Sequence, residues 1–248
     1  MNYRMIPFRY FNAFMNMAID EAIMEAVRNG DSPPTIRFYG WDPSAVSIGF
    51  FQGIRNEVNL ESTKNAGVDV VRRMTGGGAV YHDYFGEVTY SIIGKVESFP
   101  VNIINSYSII CADIVYALDL LGIKANFAPV NDILVNEQKI SGNAQTRRNG
   151  ILLQHGTILY KVDVEKMFSL LNVSAEKISD KLIKSVQKRV TSVSDQVQVS
   201  MRDLQIALQA GFSRNRSIEI GDYSTQEMQR ATQLVKEKFQ TDAWNFRL

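Results

Sequence analysis

The 248-residue chain is long enough for one large domain, and its 45% apolar and 21% charged residues are typical of a globular protein with a sizeable core. Its 27 basic and 26 acidic residues leave a formal net charge of +1, which argues against nucleic acid or a membrane surface as a partner. One cysteine and two histidines exclude an intramolecular disulfide and a zinc cluster. We expect a cytoplasmic protein, because the sequence shows neither a signal peptide nor a run of about 18 apolar residues.

The first third of the chain predicts a helix followed by strands. Apolar residues recur at helical spacing from Phe14 to Val27, and Pro33 and Pro34 lie just beyond the expected end of that helix. Strands are predicted at Thr35–Tyr39 and Ala45–Phe50, and a short helix around Leu60–Asn65 precedes a further strand.

The rest of the chain predicts a long helix, a group of strands and a helical C-terminal part. The longest periodic segment runs from about Asn102 to Leu121 and predicts a helix that packs across a sheet. Because strands concentrate in the middle and helices at both ends, the pattern predicts an α+β fold in one domain, 1–248, that turns helical from about residue 161. The predicted strands are Asp132–Val135, Lys139–Ala144 and Ile151–Tyr160, and the later helices are Val164–Leu171, Glu176–Lys188, Met201–Gly211 and Thr225–Phe239.

A glycine-rich loop between two predicted strands is the first candidate site. Arg72 and Arg73 precede Gly76, Gly77 and Gly78. Consecutive glycines let a ligand approach bare backbone N–H groups, and arginines bind phosphate or carboxylate. A glycine-rich hairpin with two solvated arginines has the same pattern, so the loop alone leaves both interpretations open.

A second polar cluster lies between residues 131 and 157. In strict strand alternation Lys139, Ser141 and Asn143 share one face, which is either solvent-facing or the wall of a polar pocket. Asn131 and Asp132 come just before an apolar run, where they could equally cap a turn. The segment Gln154-His155-Gly156-Thr157 adds a polar break inside another predicted strand.

The single cysteine is not a candidate nucleophile. Cys111 lies in the middle of the predicted helix 102–121, among isoleucines. Such a position is typical of a small core residue rather than of a reactive thiol.

Taken together, these motifs resemble the lipoate–protein ligase A family and, more distantly, octanoyltransferases and biotin–protein ligases. The similarity covers Ala18 through Tyr160 in order, and Ala243-Trp244-Asn245 also fits the ligases. The motifs that carry the resemblance are Arg72-Arg73-x-x-Gly-Gly-Gly-Ala-Val-x-His82-Asp83, Asn131-Asp132-Ile133, Lys139-Ile140-Ser141-Gly142-Asn143-Ala144-Gln145 and His155-Gly156-Thr157-Ile158-Leu159.

The resemblance implies a biotin/lipoate ligase-like α+β catalytic domain with a mixed, largely antiparallel central sheet flanked by helices. It implies that lipoate and Mg-ATP form lipoyl-adenylate, and that a lysine of a lipoyl carrier protein then attacks it. Lys139 would be the catalytic cation, and Asp132 would hold Mg²⁺. The implied ATP and lipoyl-adenylate site comprises Arg72, Gly76, Gly77, Gly78, Ala79, His82, Asn131, Asp132, Lys139, Ser141, Gly142, Asn143, His155, Gly156 and Thr157.

The alternative is an octanoyltransferase that moves octanoyl groups from acyl carrier protein to a lipoyl domain. The segments Glu87-Val88-Thr89-Tyr90-Ser91 and Leu153-Gln154-His155-Gly156 look more like one cysteine-dependent class of these transferases. That class places its cysteine shortly before the lysine motif, where residues Lys124 to Asp132 contain none, and its glycine loop tends to lose the glycine that Gly78 retains. We therefore predict an ATP-dependent lipoate–protein ligase.

The expected partner is a lipoyl carrier protein, either a glycine-cleavage H-like protein or the lipoyl domain of a 2-oxoacid dehydrogenase E2. Many ligases of this family continue into a C-terminal accessory domain, whereas this sequence stops soon after Trp244-Asn245. Either the enzyme works without that domain or a second polypeptide supplies it. A non-catalytic binder is disfavoured, because binding alone does not require Arg72, Asp132 and Lys139 together.

Overall fold

A computed structural model describes residues 2–172 and 188–248 of the chain. Its elements follow in chain order: β1 (Asn2–Phe11), α1 (Ala13–Asn29), β2 (Thr35–Trp41), β3 (Ala45–Ile48), α2 (Ile54–Glu57), α3 (Leu60–Asn65), β4 (Asp69–Arg72), β5 (Val80–His82), β6 (Glu87–Lys95), α4 (Ile103–Leu120), β7 (Asn126–Ala128), β8 (Asp132–Val135), β9 (Gln138–Arg148), β10 (Ile151–Leu159), α5 (Val164–Leu170), α6 (Val193–Gln196), α7 (Met201–Ser213), β11 (Ser217–Ile220), α8 (Thr225–Leu234) and α9 (Asp242–Asn245).

An eight-stranded mixed sheet forms the centre of the fold, in the order β11-β1-β2-β6-β10-β9-β8-β7. β1 is parallel to both of its neighbours, and every other pair in the sheet is antiparallel. This arrangement confirms the predicted α+β fold with a mixed, largely antiparallel sheet.

A second, three-stranded sheet, β4-β3-β5, positions the glycine loop. β3 pairs in parallel with β4 and antiparallel with β5. Residues 73–79 connect β4 to β5, so both ends of the glycine loop are held by the same central strand.

Helices cover both faces of the large sheet. Alternate strand residues point to opposite faces, so Ile92 of β6 packs with α4 and α7, whereas its neighbour Ile93 packs with α1 and α8. Asn12 caps α1 by accepting a hydrogen bond from the Met15 N–H, and Gly30 ends the helix in the left-handed conformation with φ 85°. The sheet is therefore buried on both sides.

Helix α4 (Ile103–Leu120) is, among the described residues, the one helix long and apolar enough to cross a membrane by length and composition. Its Ile110, Ile114 and Leu118 side chains are fully buried in the core. Packing against the sheet and α7 accounts for this apolar composition.

Most predicted elements are confirmed, including α1, β2, α4, β8 and the helices that begin at Val164, Met201 and Thr225. The strands β1, β5, β7 and β11 were not predicted. β11 is a mostly exposed edge strand of only four residues, and β1 pairs with β11 more than 200 residues away. The predicted helix 176–188 lies almost entirely outside the described residues, and the single-domain organisation stays a prediction.

Candidate functional site

Arg73 holds the glycine loop in place. Its Nη2 donates hydrogen bonds of 2.8 Å to the carbonyls of both Gly76 and Gly78, and its Nη1 donates to the backbone and side-chain oxygens of Ser47, both at 3.1 Å. Burial lowers the pKa of the Arg73 guanidinium to about 10. The side chain therefore stays charged at neutral pH and fixes the loop against β3.

Arg72 points to the other side of the strand, away from the loop. Its guanidinium is fully buried and donates to the carbonyls of Gly49, Phe50, Gln52, Trp244 and Asn245. These contacts join β4 to the segment after β3 and to the C-terminal helix α9. Its position is that of a structural residue, and no part of it lines the cavity described below.

Gly77 is the one glycine of the triplet whose conformation excludes a side chain. Its φ is +99°, and a Cβ there would lie 2.9 Å from Arg73 Nη2. Gly76 and Gly78 have no heavy atom within 4 Å of the corresponding position and no positive φ. Close approach is also required on the other side, because a Cβ on Gly49 would lie 2.0 Å from the Gly77 carbonyl oxygen.

Lys139 and Asp132 form an ion pair between the neighbouring strands β9 and β8. Lys139 Nζ lies 2.7 Å from Asp132 Oδ1, and the side chains are 40% and 35% exposed. The pair is held by charge rather than by an aligned hydrogen bond, since Asp132 Oδ1 accepts none. A Cβ on Gly142 would lie 2.7 Å from Lys139 Cε and 2.8 Å from Nζ, so glycine at 142 leaves room for the folded lysine side chain.

Asn131 and Asn143 attach the loop before β8 to β9. The Asn143 N–H and side-chain amide both donate to the Asn131 carbonyl, and the Asn131 side chain donates to the Asn143 carbonyl. The Tyr90 hydroxyl in turn donates to Asn143 Oδ1 at 2.8 Å. Gly156 is needed beside them, because a Cβ there would lie 2.1 Å from Asn143 Oδ1.

A buried polar chain runs through Ser47, His82 and Glu87. Ser47 Oγ lies 2.8 Å from His82 Nε2, and His82 Nδ1 lies 2.7 Å from Glu87 Oε1. The indole of Trp41 stacks on the imidazole with a centroid distance of 3.9 Å and an interplanar angle of 15°. Each of these four side chains is less than 5% exposed, so the chain is shielded from bulk water.

His155 is the second buried imidazole. Its Nε2 lies 2.7 Å from Thr75 Oγ1, and its Nδ1 lies 3.4 Å from Asp20 Oδ2. Burial lowers the pKa of His155 below its ordinary value, against the opposing effect of Asp20. His155 is therefore neutral at physiological pH and connects β10 to the start of the glycine loop.

These groups surround one cavity of about 360 Å³. Its lining includes most of the predicted site: Gly77, Gly78, Ala79, His82, Asn131, Lys139, Gly142, Asn143, His155, Gly156 and Thr157. Four predicted residues, Arg72, Gly76, Asp132 and Ser141, are not in the lining, although Asp132 pairs with Lys139.

The cavity has a closed end and a mouth. The closed end is formed by Tyr39, Trp41, Ser47, Glu87 and Thr89, which are all 3% exposed or less. The mouth is formed by exposed or half-buried residues, namely Gly77, Gly78, Lys139, Lys161, Asp163 and Met167. Its other apolar lining includes Met17, Ala79, Val80, Leu159, Val162, Val164 and Val190.

The sequence interpretation missed the closed end. Trp41 and Ser47 lie on strands with no motif, and Met17 belongs to the apolar stripe of α1. Only the pairing of β3 with β5 brings Ser47 beside His82. The one signal in the sequence was the carboxylate of Glu87, five residues after His82 and within reach of its ring.

Comparison with known proteins identifies the family. The model of the lipoyl protein ligase A/B catalytic domain matches residues 12–213. A protein of Brevibacillus brevis named octanoyltransferase LipM is 34% identical over 94% of this chain and 94% of its own length. A protein of the same name from Kyrpidia tusciae is 36% identical over 95% of both chains.

Solved structures with the same fold are described as lipoate ligases. One belongs to a bi-partite lipoate protein ligase from Thermoplasma acidophilum, with 34% identity and a TM-score of 0.89 over 99% of this chain and 96% of that chain. A T. acidophilum protein with bound lipoic acid has 31% identity and a TM-score of 0.82 over 99% and 100% of the two chains. A lipoate-protein ligase A bound with ATP has 32% identity and a TM-score of 0.85 over 99% of each chain.

The curated relatives correct the functional prediction. The sequence interpretation as an ATP-dependent lipoate–protein ligase is wrong, because relatives that align over nearly the whole chain are named octanoyltransferases. The alternative, an octanoyltransferase, is the better supported. The absence of a cysteine before the lysine motif was the observation that favoured a ligase.

Proposed function

Because this chain belongs to the lipoyl protein ligase A/B catalytic-domain family, we propose that it transfers an octanoyl group from an acyl carrier protein to a lysine of a lipoyl carrier protein. The observation that carries the proposal is the cavity, which is apolar along its walls and has the ammonium group of Lys139, held by Asp132, beside its mouth. An acyl chain fits the first feature, and a reacting acyl carbonyl fits the second.

The cavity orients the acyl group with its carbonyl at the mouth. The acceptor is a lysine side chain that belongs to another protein, so its amine reaches the rim of the cavity and not the buried closed end. The hydrocarbon tail then extends past Val80 and Leu159 towards Trp41. Burial of each methylene of the tail contributes roughly 0.8 kcal/mol to binding.

Lys139 stabilises the charge that develops on the carbonyl oxygen during attack by the amine. A fixed cation at such a position acts on the transition state more strongly than on the neutral substrate. Asp132 holds the ammonium at 2.7 Å, and glycine at 142 leaves room for the side chain. The exposed backbone of Gly77 and Gly78 lies on the same rim of the cavity.

ATP and Mg²⁺, which the ligase resemblance implied, take no part in the proposed reaction. Asp132, the predicted Mg²⁺ ligand, is paired with Lys139. Residues 2–172 and 188–248 contain no group of three or more histidine, cysteine, aspartate and glutamate side chains that fits a metal ion. Because the one predicted donor, Asp132, already pairs with Lys139, no step is assigned to a magnesium ion.

The proposed partners are an acyl carrier protein as donor and a lipoyl carrier protein as acceptor, and the proposed compartment is the cytoplasm. The structural neighbour from T. acidophilum was solved as part of a system with an E2 lipoyl domain, which supports the choice of acceptor. That neighbour is also described as bi-partite, so a separate accessory protein is a further candidate partner.

A transfer assay without nucleotide tests the proposal. The purified chain is incubated with octanoyl-acyl carrier protein and an unmodified lipoyl domain, and the lipoyl domain is analysed by mass spectrometry. We expect octanoylation of one lysine, and a lipoyl domain with that lysine replaced by arginine serves as the control. The proposal is rejected if the product forms only from free acid and ATP, or if no product forms.

A further inference from the structure

A row of polar side chains crosses the face of the large sheet that packs on α4 and is otherwise largely apolar. In the strand register, Asn143 of β9, Gly156 of β10 and Tyr90 of β6 lie side by side. Because residues paired in this way point to the same face of a sheet, only Gly156 separates the side chains of Asn143 and Tyr90. With no side chain in between, the Tyr90 hydroxyl reaches across β10 and donates to Asn143 Oδ1 at 2.8 Å.

Two glutamines continue this row. Gln154 Nε2 donates to the Tyr90 hydroxyl at 2.7 Å, and Gln145 Nε2 donates to Gln154 Oε1 at 2.9 Å. Both glutamines belong to the polar segments identified in the sequence, but neither lines the cavity. At the other end, Asn143 Nδ2 donates to the Asn131 carbonyl at 2.9 Å. The hydrogen bonds therefore all run in one direction from donor to acceptor, in the order Gln145, Gln154, Tyr90, Asn143, Asn131.

These hydrogen bonds lie where polar groups are costly. Tyr90 and Gln154 are 0% exposed, and Asn143 is 4% exposed. A buried amide or hydroxyl gives up its hydration, and apolar groups of the same shape can replace a buried hydrogen-bonded pair at almost no cost in stability. Packing of this face therefore does not account for the polar row. Burial also raises the pKa of Tyr90 well above its ordinary value, so the hydroxyl stays protonated and remains a donor.

Asn143 connects the polar row to the mouth of the cavity. Its backbone N–H and its side-chain amide both donate to the Asn131 carbonyl, and Asn131 Nδ2 donates back to the Asn143 carbonyl. Asn131 is followed directly by Asp132, whose carboxylate lies 2.7 Å from Lys139 Nζ. Among the described residues, the Tyr90 hydroxyl is the one donor to Asn143 Oδ1. Without it, that oxygen would be buried and unpaired, so the side-chain amide would turn and give up its bond to Asn131.

We infer that Tyr90 is a positioning residue for the transfer reaction. It fixes Asn131 through Asn143. The adjacent carboxylate of Asp132 is thereby held in place, and with it the ammonium of Lys139. This inference rests on the proposed function and extends it to a side chain that does not line the cavity. Tyr90 contacts neither substrate, and it acts by limiting the positions that the catalytic ammonium takes at the mouth.

Tyr90→Phe tests the inference, because it removes the hydroxyl and keeps the ring in the core. A displacement of about 1 Å can cost roughly 10²-fold in rate, so we expect kcat to fall by about tenfold or more with little change in the KM for the donor. Tyr160→Phe is the matched control and should keep the wild-type kcat. Its hydroxyl donates a bond of similar length, 2.9 Å, to the Val199 carbonyl, and Tyr160 lies outside the cavity lining. Gln154→Met, which removes only the donor to Tyr90, should lower kcat by a smaller factor.

Two further measurements separate positioning from a general loss of stability. In the first, Tyr90→Phe is introduced into the K139A variant. Because Tyr90 acts through Lys139, we expect it to have no further effect on the residual rate of transfer, measured above the rate without enzyme. In the second, hydrogen exchange is followed at the Asn143 N–H, which donates to the Asn131 carbonyl. We expect this amide to exchange faster in Tyr90→Phe, while amides between β1 and β2 exchange as in the wild type.

The opposite results overturn the inference. It is wrong if Tyr90→Phe leaves kcat unchanged, if Tyr160→Phe lowers kcat by the same factor, or if Tyr90→Phe lowers the rate equally in the wild type and in K139A. If Tyr90→Phe does not fold, the same criteria apply to Gln154→Met. If the wild type transfers no octanoyl group, the proposed function is rejected. Hydrogen exchange then decides separately whether Tyr90 fixes the contact between Asn131 and Asn143, and unchanged exchange at Asn143 overturns that positioning too.

Discussion

The ammonium of Lys139 lies 2.7 Å from the carboxylate of Asp132, on neighbouring antiparallel strands at the mouth of the cavity. Both side chains are partly exposed, so the pair contributes little to the free energy of unfolding. Its geometry instead fixes one cation at the place where an acyl carbonyl meets its acceptor. The pair is best explained by function.

Replacement of Lys139 by alanine is expected to abolish most of the transfer while leaving the fold intact. Loss of one charge-stabilising contact typically lowers the rate by roughly 10²–10³-fold. The measurement is the rate of lipoyl-domain octanoylation at saturating donor, with the melting temperature recorded in parallel. Lys95→Ala removes an exposed lysine at the end of β6 and is the matched control. A K139A variant with near wild-type activity would contradict the catalytic role.

Gly142→Ala is expected to lower the rate of transfer with little loss of stability. The added methyl group would lie 2.7 Å from Lys139 Cε, and the flexible lysine side chain would move away rather than the backbone. Displacement of a catalytic group by about 1 Å can cost roughly 10²-fold in rate. We expect a lower kcat with an unchanged KM for the donor. The control is to introduce Gly142→Ala into the K139A variant as well. If Gly142→Ala lowers the rate of transfer by the same factor in the wild type and in K139A, this explanation is contradicted.

The sequence predicts the polar motif residues of the cavity better than the residues at its closed end. Lys139, Asn143 and His155 were identified because each belongs to a motif with several polar residues in a short stretch. Trp41 and Ser47 carry no such signal, since they belong to the site only through the pairing of β3 with β5 and the packing of α1 on the sheet. Contacts between distant segments decide these positions, and one sequence does not reveal them.

The two adjacent arginines show the same limit. A strand sends neighbouring side chains to opposite sides, so one of Arg72 and Arg73 had to face the loop, and the sequence does not say which. The C-terminal helix decides it, because Trp244 and Asn245 accept hydrogen bonds from Arg72 across 172 and 173 residues. Likewise, the predicted strands give an α+β fold, but β1 and β11 pair between the two ends of the described chain.

Gly77→Ala is expected to disturb the glycine loop more than Gly78→Ala. Position 77 has φ +99° and a Cβ would lie 2.9 Å from Arg73 Nη2, whereas position 78 is open. A left-handed backbone costs a residue with a side chain about 1–2 kcal/mol. We expect the G77A variant to lose this much in the free energy of unfolding and to bind octanoyl donor more weakly. Equal effects of the two substitutions would show that the conformation of Gly77 is not required.

Because His155 is buried, we expect the free energy of unfolding of the protein to fall in mild acid. Its pKa is lowered in the folded protein, so below the unfolded value of about 6.5 the unfolded chain binds a proton that the folded chain does not. The contribution of His155 is therefore fully present above that pH and decreases as the pH falls. The free energies of unfolding of the wild type and of His155→Gln are measured in urea at several pH values. Below about pH 6.5 the wild type should lose stability relative to the variant. A difference that is independent of pH would contradict the buried neutral imidazole.

Arg72→Ala is expected to destabilise the fold rather than to weaken substrate binding selectively. Its guanidinium is fully buried and satisfies five backbone carbonyls, and each buried acceptor left without a donor costs about 1–3 kcal/mol. We expect a loss of about 3 kcal/mol or more in urea-induced unfolding. Arg72→Lys should recover only part of it, because one ammonium cannot replace a forked donor. Arg55→Ala, which removes an exposed arginine outside the cavity lining, is the control. A stable R72A variant with weakened donor binding would instead place Arg72 in the binding site, as the glycine-loop motif first suggested.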